Sequence, residues 1–318
     1  MSTNNVKIVF GAYPLATLPQ ETSKEIIEIL KSAGINELDT ARIYPNSEKN
    51  IGELNLASEF LIDTKAVGFT PGSQTREGIT KSFTESLSLL GVDSVEIYYL
   101  HCPDPEVPIE ETLEAVDVFY KQGRFKRFGL SNFTPEDVQK VYDIAVEKGY
   151  ALPTVYQGNY NAVARKIESD LFPVLRKLNI AFYAYSPIAG GFLAHTPDEI
   201  TTGSKGRFDN NSPVGKLYQA LYNRPKLIEA LERWGLIAEK AGVTSAVLAY
   251  RWITYHSALD YARGDALIVG SRTPQQLRDT LKAIEDGPLD KNIVAEIDAV
   301  WERAKADAPV NNYTSLND

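Results

Sequence analysis

The amino-acid sequence predicts one closed (β/α)8 TIM barrel over residues 1–318, an α/β fold. Three observations lead to it. Short apolar runs of strand length alternate with stretches of helical spacing from one end of the chain to the other. No long linker separates them, and such alternation is the signature of a parallel sheet with helices outside it. The length, 318 residues, exceeds that of an ordinary domain but is normal for one α/β barrel.

The elements follow in order. Residues 7–10 form the first apolar run. Residues 22–33 have helical spacing, with Ile26, Ile29, Leu30 and Ala33 on one side. A second run covers 35–38, and a third begins at 60–62 and closes at Lys65. Residues 75–90 are amphipathic, with Ile79, Phe83, Leu87 and Leu90 on one face, and Gly91 stands where a C-cap is needed. The fourth strand is 95–100, followed by a helix at 109–121 and a strand at 125–130. Thr134-Pro135-Glu-Asp137 opens the next helix with a cap-capable threonine, proline at the first helical position and early acids. Residues 154–156, 180–184 and 266–269 complete eight strands. Two stretches break the rhythm. Residues 196–225, rich in Gly, Ser, Asn, Asp and Pro, predict a long functional loop after strand seven, a flap over the mouth. From Asp286, the positions Ile293, Ile297, Val300 and Trp301 mark an extra helix, with 311–318 as an irregular end.

Composition narrows the function. The net charge of −9 argues against nucleic acid or an anionic membrane as the main partner. No apolar run approaches the ~20 residues of a spanning helix, and the N-terminus has no apolar h-region for secretion. The single Cys102 forms no internal disulfide, which suits a reducing cytoplasmic location. Only three histidines exist, far apart, so no metal site is expected. His195 and His256 read as a loop residue and a helix residue. Cys102 reads as a packed strand-end thiol in preference to a reactive one.

Chemistry concentrates in four residues. Asp39 and Tyr44 lie in Glu37-Leu-Asp-Thr-Ala-Arg-Ile-Tyr44, Lys65 closes Phe60-Leu-Ile-Asp-Thr-Lys65, and His101 closes Val95-Glu-Ile-Tyr-Tyr-Leu-His101. Three of them end apolar runs, the edge where barrel active sites are built. Taken singly, each has a bland reading: a turn aspartate, a loop tyrosine before proline, a solvated lysine, a histidine bonded to backbone. Together, a tyrosine flanked by a lysine, a carboxylate and a histidine can donate a proton near neutral pH. That points to proton-coupled reduction of a carbonyl and requires a hydride source.

The ordered motifs resemble the aldo-keto reductase superfamily, and within it the aflatoxin-aldehyde reductase family. The match is carried by Glu37-Leu-Asp-Thr-Ala41, Ile62-Asp-Thr-Lys65, Tyr99-Leu-His101, Gly129-Leu-Ser-Asn132 and Leu152-Pro-Thr-Val-Tyr-Gln-Gly158. Tyr160-Asn-Ala162, Phe182-Tyr-Ala-Tyr-Ser-Pro187, Ala189-Gly-Gly191, Gly206-Arg-Phe208 and Gly287-Pro-Leu289 extend it. The resemblance implies NADPH/NADP+ bound in extended form across the mouth. It implies Tyr44 as general acid, with Lys65, ion-paired to Asp39, lowering the phenol's pKa. It implies His101 as the group that orients a small-molecule carbonyl. Asp39, Ser131, Asn132 and Gln157 would serve the nicotinamide end and Tyr185 would stack on its ring. Ser186, Ile188, Gly190, Gly191 and Leu193 would follow the pyrophosphate, with Arg207 clamping from the flap. Ser271, Arg272, Gln276 and Thr280 would hold the 2′-phosphate and adenine, although Thr280 lacks the amide usual there. Tyr13, Tyr218 and Leu221 are expected as substrate-pocket walls. Gln219, Leu221 and Ser315 stand where acid-handling members carry arginines, so neutral or apolar carbonyls are the expected substrates, unless Arg207 or Arg224 supplies the positive anchor. A homodimer is compatible with this family. The alternative on the same fold is a cofactor-sensing regulatory subunit with little turnover.

Overall fold

A computed structural model describes residues 6–203 and 206–313. Eight strands close into one barrel in sequence order, and every neighbouring pair is parallel. They are β1 (Lys7–Gly11), β2 (Glu37–Asp39), β3 (Leu61–Lys65), β4 (Val95–Leu100), β5 (Phe125–Ser131), β6 (Pro153–Asn159), β7 (Ala181–Tyr185) and β8 (Ala266–Val269). Because side chains alternate across a strand, each strand feeds two layers. Val9, Ile97, Tyr99, Val155, Tyr183 and Ile268 fill the barrel interior. Phe10, Leu38, Ile62, Tyr98, Leu130, Phe182 and Leu267 face outward into the core shared with the helices. There Phe83 stacks on Tyr98 at 3.9 Å, so the apolar face read in 75–90 lands on β4. Where β5 pairs with β6 the register shifts at Phe128/Gly129. A Cβ on Gly129 would stand 2.2 Å from the Tyr99 ring, so glycine is required for that ring to lie in the interior.

The helix ends obey their local chemistry. Thr75 and Thr134 accept bonds from the backbone N–H of Gly78 and Asp137, and Gly91 adopts a left-handed φ of 69°. The first helix runs Gln20–Ser32, and Gln157 lies within β6, not at its end.

The expected flap after β7 is more ordered than its composition suggested. It contains helices Pro197–Thr202 and Pro213–Tyr222, with a short 3-10 turn Gly206–Phe208 between them. Thr196 and Glu199 form a reciprocal capping box, and Ser212 caps the second helix, so the polar residues that read as loop are helix starts. Helices Pro225–Lys240 and Ser245–Tyr255 also precede β8. The extra helix of the tail is Lys291–Ala304. Ser315 lies outside the described residues. No helix among the described residues is long and apolar enough to cross a membrane.

Candidate active site

Parallel strands of similar register end on one rim, and that rim opens onto a cavity of about 510 Å3. Asp39 ends β2, Lys65 ends β3 and His101 follows β4, so three of the four singled-out residues converge there. Tyr44 arrives from the turn leaving β2. Bonds from Tyr44 N to Ala41 O (3.0 Å) and from Arg42 N to Lys65 O (3.2 Å) tie that turn to the end of β3. The Tyr44 ring meets Tyr13 edge-on at 5.2 Å and His101 at 5.9 Å.

The charges are arranged as a buried pair. Lys65 Nζ donates to Asp39 Oδ1 at 2.6 Å and to Thr40 O at 2.8 Å, with the lysine 1% exposed. Gln157 Nε2 also donates to Asp39 Oδ1, at 2.8 Å. Lys65 Nζ is 5.6 Å from the Tyr44 ring centre. The resemblance implies a lowered Tyr44 pKa, whereas the net shift in the structure is upward. Desolvation pushes the phenol well up, and the Asp39 charge pushes in the same direction. The Arg207 guanidinium pulls it back. His101 is buried, and desolvation, with Lys65 nearby, holds its imidazole well below the ordinary value, in the neutral form. Its Nδ1 has no partner among the described residues.

The next strand ends complete the rim. Asn132, at φ 63°, donates from Nδ2 to His101 O (2.8 Å) and Ser131 Oγ (3.1 Å), and accepts from Tyr185 Oη at 2.9 Å. Ser186 (φ 55°), Ile188, Gly190 and Gly191 line the cavity. A Cβ on Gly190 would stand 1.9 Å from the Tyr218 ring, so this glycine serves the flap as much as any ligand. Leu193 departs from expectation: it is fully buried in the outer core and absent from the lining. Leu221 departs in the same way, because the helix Pro213–Tyr222 turns it into the core and presents Tyr218 to the mouth. Gln219 Nε2 donates to Ile200 O and Phe208 O, holding the flap together.

Arg207 lies beside the chemistry. It donates to Tyr218 Oη at 3.0 Å, and its guanidinium sits over Tyr13 (5.7 Å) and Tyr218 (5.5 Å). Arg224 is outside the lining and donates to Ala220 O. At the far end, Ser271, Arg272, Gln276 and Thr280 all line the cavity at the start of helix Pro274–Glu285. Arg272 is exposed, and its N–H bonds Gln276 Oε1 at 2.9 Å, whereas the buried Ser271 hydroxyl has no partner among the described residues.

Sequence reasoning missed several lining residues. His195 lines the cavity, with Nδ1 donating to Gly191 O at 2.7 Å, which places its proton on that nitrogen. His256 instead accepts from Leu289 N at 2.8 Å, far from the mouth. Phe69 has a left-handed φ of 61°, unusual for a bulky residue. It packs edge-on against His101 at 5.2 Å and tilts against Tyr313 at 5.9 Å. Its N–H bonds the Sγ of buried Cys102 at 3.1 Å, and burial pushes that thiol up to about 11, as suits a packed sulfur. No residue pattern announced Phe69, because its place depends on a loop conformation. Among the described residues no group of three His, Cys, Asp or Glu is placed to hold a metal ion.

Comparison with known proteins identifies the relatives of the chain. The profile of the Aldo/keto reductase family matches residues 7–302. The chain is 41% identical to oxidoreductase sirO of Leptosphaeria maculans, over 91% of this chain and 88% of that protein. It is 36% identical to human aflatoxin B1 aldehyde reductase member 2, over 88% of this chain and 81% of the relative. Human aldo-keto reductase family 7 member A3 is 34% identical, with 96% of each chain covered.

Proposed function

This chain belongs to the aldo/keto reductase family, and from that premise we propose that it reduces aldehydes or ketones to alcohols with NADPH, with Tyr44 as the proton donor. The observation that carries the reading is the convergence on one cavity of Tyr44, neutral His101 and Asp39, with Lys65 paired to Asp39 behind the lining.

The cavity fits the cofactor. The Ser271 hydroxyl is buried without a partner among the described residues, in front of a twelve-residue helix, where backbone N–H groups and an oriented dipole favour phosphate. Arg272 and Ser271 would hold the 2′-phosphate, with Gln276 and Thr280 beside the adenine. Arg207, Ser186, Ile188, Gly190 and Gly191 would follow the pyrophosphate, and Ser131, Asn132, Gln157 and Tyr185 the nicotinamide. When bound, NADPH supplies the hydride.

The protein's own groups do the rest. Neutral His101 orients the carbonyl oxygen toward Tyr44, and Tyr44 gives its proton to that oxygen as the alcohol forms. The high pKa of Tyr44 keeps the phenol protonated at neutral pH. The positive charges of Lys65 and Arg207 stabilise the tyrosinate left behind. Asp39, itself bonded by Gln157, and Thr40 O hold Lys65 in place. Tyr13, Tyr218 and Phe69 wall the mouth and limit water. NADPH oxidation in the presence of a panel of aldehydes and ketones tests the reading, and turnover separates it from a cofactor-sensing subunit.

A further inference from the structure

Beneath the catalytic pair lies a buried acid that the reaction does not use. Asp63 is two residues before Lys65 on β3, so its side chain enters the barrel interior one layer lower. It is the register partner of Asp39 on β2, and Glu37 sits two residues before Asp39 on that strand. Asp63 is 0% exposed and Glu37 2%. As carboxylates, neither Asp63 oxygen nor Glu37 Oε1 has a hydrogen-bond partner among the described residues. The nearby cations are committed elsewhere. Lys7 from β1 pairs with Glu37 Oε2 at 2.7 Å and also donates to the Tyr183 hydroxyl of β7. Lys65 is taken by Asp39 and Thr40 O. Arg127 from β5 reaches this layer through Tyr183 Oη at 3.0 Å. From β4, the Tyr99 hydroxyl is buried without a partner among the described residues.

Two ionised carboxylates cannot face each other in a dry interior, whereas one proton placed between them gives both a partner. We propose that Asp63 and Glu37 share one proton and that Asp63, held neutral in this way, is a positioning residue for catalysis that keeps the charge of Lys65 available to Tyr44. Burial and the charges of Glu37 and Asp39 all act to keep that proton on. The inference rests on the roles given above to Tyr44 and Lys65. Loss of the proton sets a second carboxylate beside Lys65. The lysine's field at Tyr44 is then cancelled, the tyrosinate loses its support, and reduction slows on the alkaline side.

Two variants shift that alkaline limb in opposite directions. In Asp63→Asn the group stays neutral at every pH, so the limb of kcat for reduction moves up by about one pH unit, the size of a single-charge effect. In Glu37→Gln the like-charged neighbour is gone and Lys7 is released toward Asp63, so the limb moves down. KM for cofactor and carbonyl is unchanged in both. Infrared spectra of the wild type at neutral pH should contain a protonated-carboxyl band that Asp63→Asn lacks. Absence of that band overturns the shared proton, whether or not the chain reduces carbonyls. A band present with both limbs unmoved, or moved the same way, overturns the positioning role and leaves Tyr44 as donor intact.

Discussion

Lys65 Nζ lies 2.6 Å from Asp39 Oδ1, and both side chains are shut away from water at the ends of adjacent strands. The pair is costly to half-dismantle, because removing one charge leaves the other buried. Asp39→Asn should therefore lower stability by about 3–5 kcal/mol, read by denaturant unfolding. The exposed pair Lys24–Glu21, at 3.0 Å, is the internal control. Lys24→Ala should change stability by less than ~1 kcal/mol.

Cofactor choice should follow the phosphate end of the cavity. Arg272→Ala should weaken NADPH binding by about 1.5–3 kcal/mol, the range for a hydrogen bond to a charged group, and leave NADH binding nearly unchanged. Titration of both cofactors by tryptophan fluorescence measures this. Equal affinity of the wild type for NADPH and NADH would contradict the assignment.

Substrate preference should respond to Phe69 and not to Leu221. Phe69 lines the mouth and touches His101, whereas Leu221 is core. Phe69→Ala should reduce kcat/KM for an aromatic aldehyde relative to a small aliphatic one by roughly tenfold, the value of about one aromatic contact. Leu221→Arg should lower the melting temperature without redirecting specificity. A substrate shift in Leu221→Arg, with Phe69→Ala silent, would reverse the assignment of the two positions.

Acid should weaken the fold partly through His101. Burial depresses its folded pKa, so the unfolded chain takes up its proton first as pH falls. Its contribution to stability is complete above the ordinary imidazole value of ~6.5 and is lost as pH falls through the lower folded value. His101→Gln should flatten that part of the curve of melting temperature against pH. An unchanged acid slope in the variant would place the titration elsewhere.

The sequence announced the barrel because its strands are apolar, short and regularly spaced, and because Thr75, Gly91 and Thr134 mark helix ends by local chemistry. The rim residues Asp39, Lys65 and His101 were legible for the same reason, since each ends a readable strand. What escaped was set by tertiary packing. The rotation of helix Pro213–Tyr222 decides that Tyr218 faces the mouth and Leu221 the core, and the polar cap Ser212 made its start read as loop. Phe69 reaches the site through a left-handed loop conformation that no periodicity encodes. The sign of the Tyr44 shift is set first by its burial and then by charges from other parts of the chain, and neither is written in a local pattern.

The most direct measurement is the single-turnover rate of carbonyl reduction in Tyr44→Phe, with NADPH affinity measured on the same preparation. The account predicts a rate lower by about 10²–10⁴, the span of general acid catalysis, with affinity for NADPH nearly intact. A rate close to wild type would contradict it and assign the proton to another group.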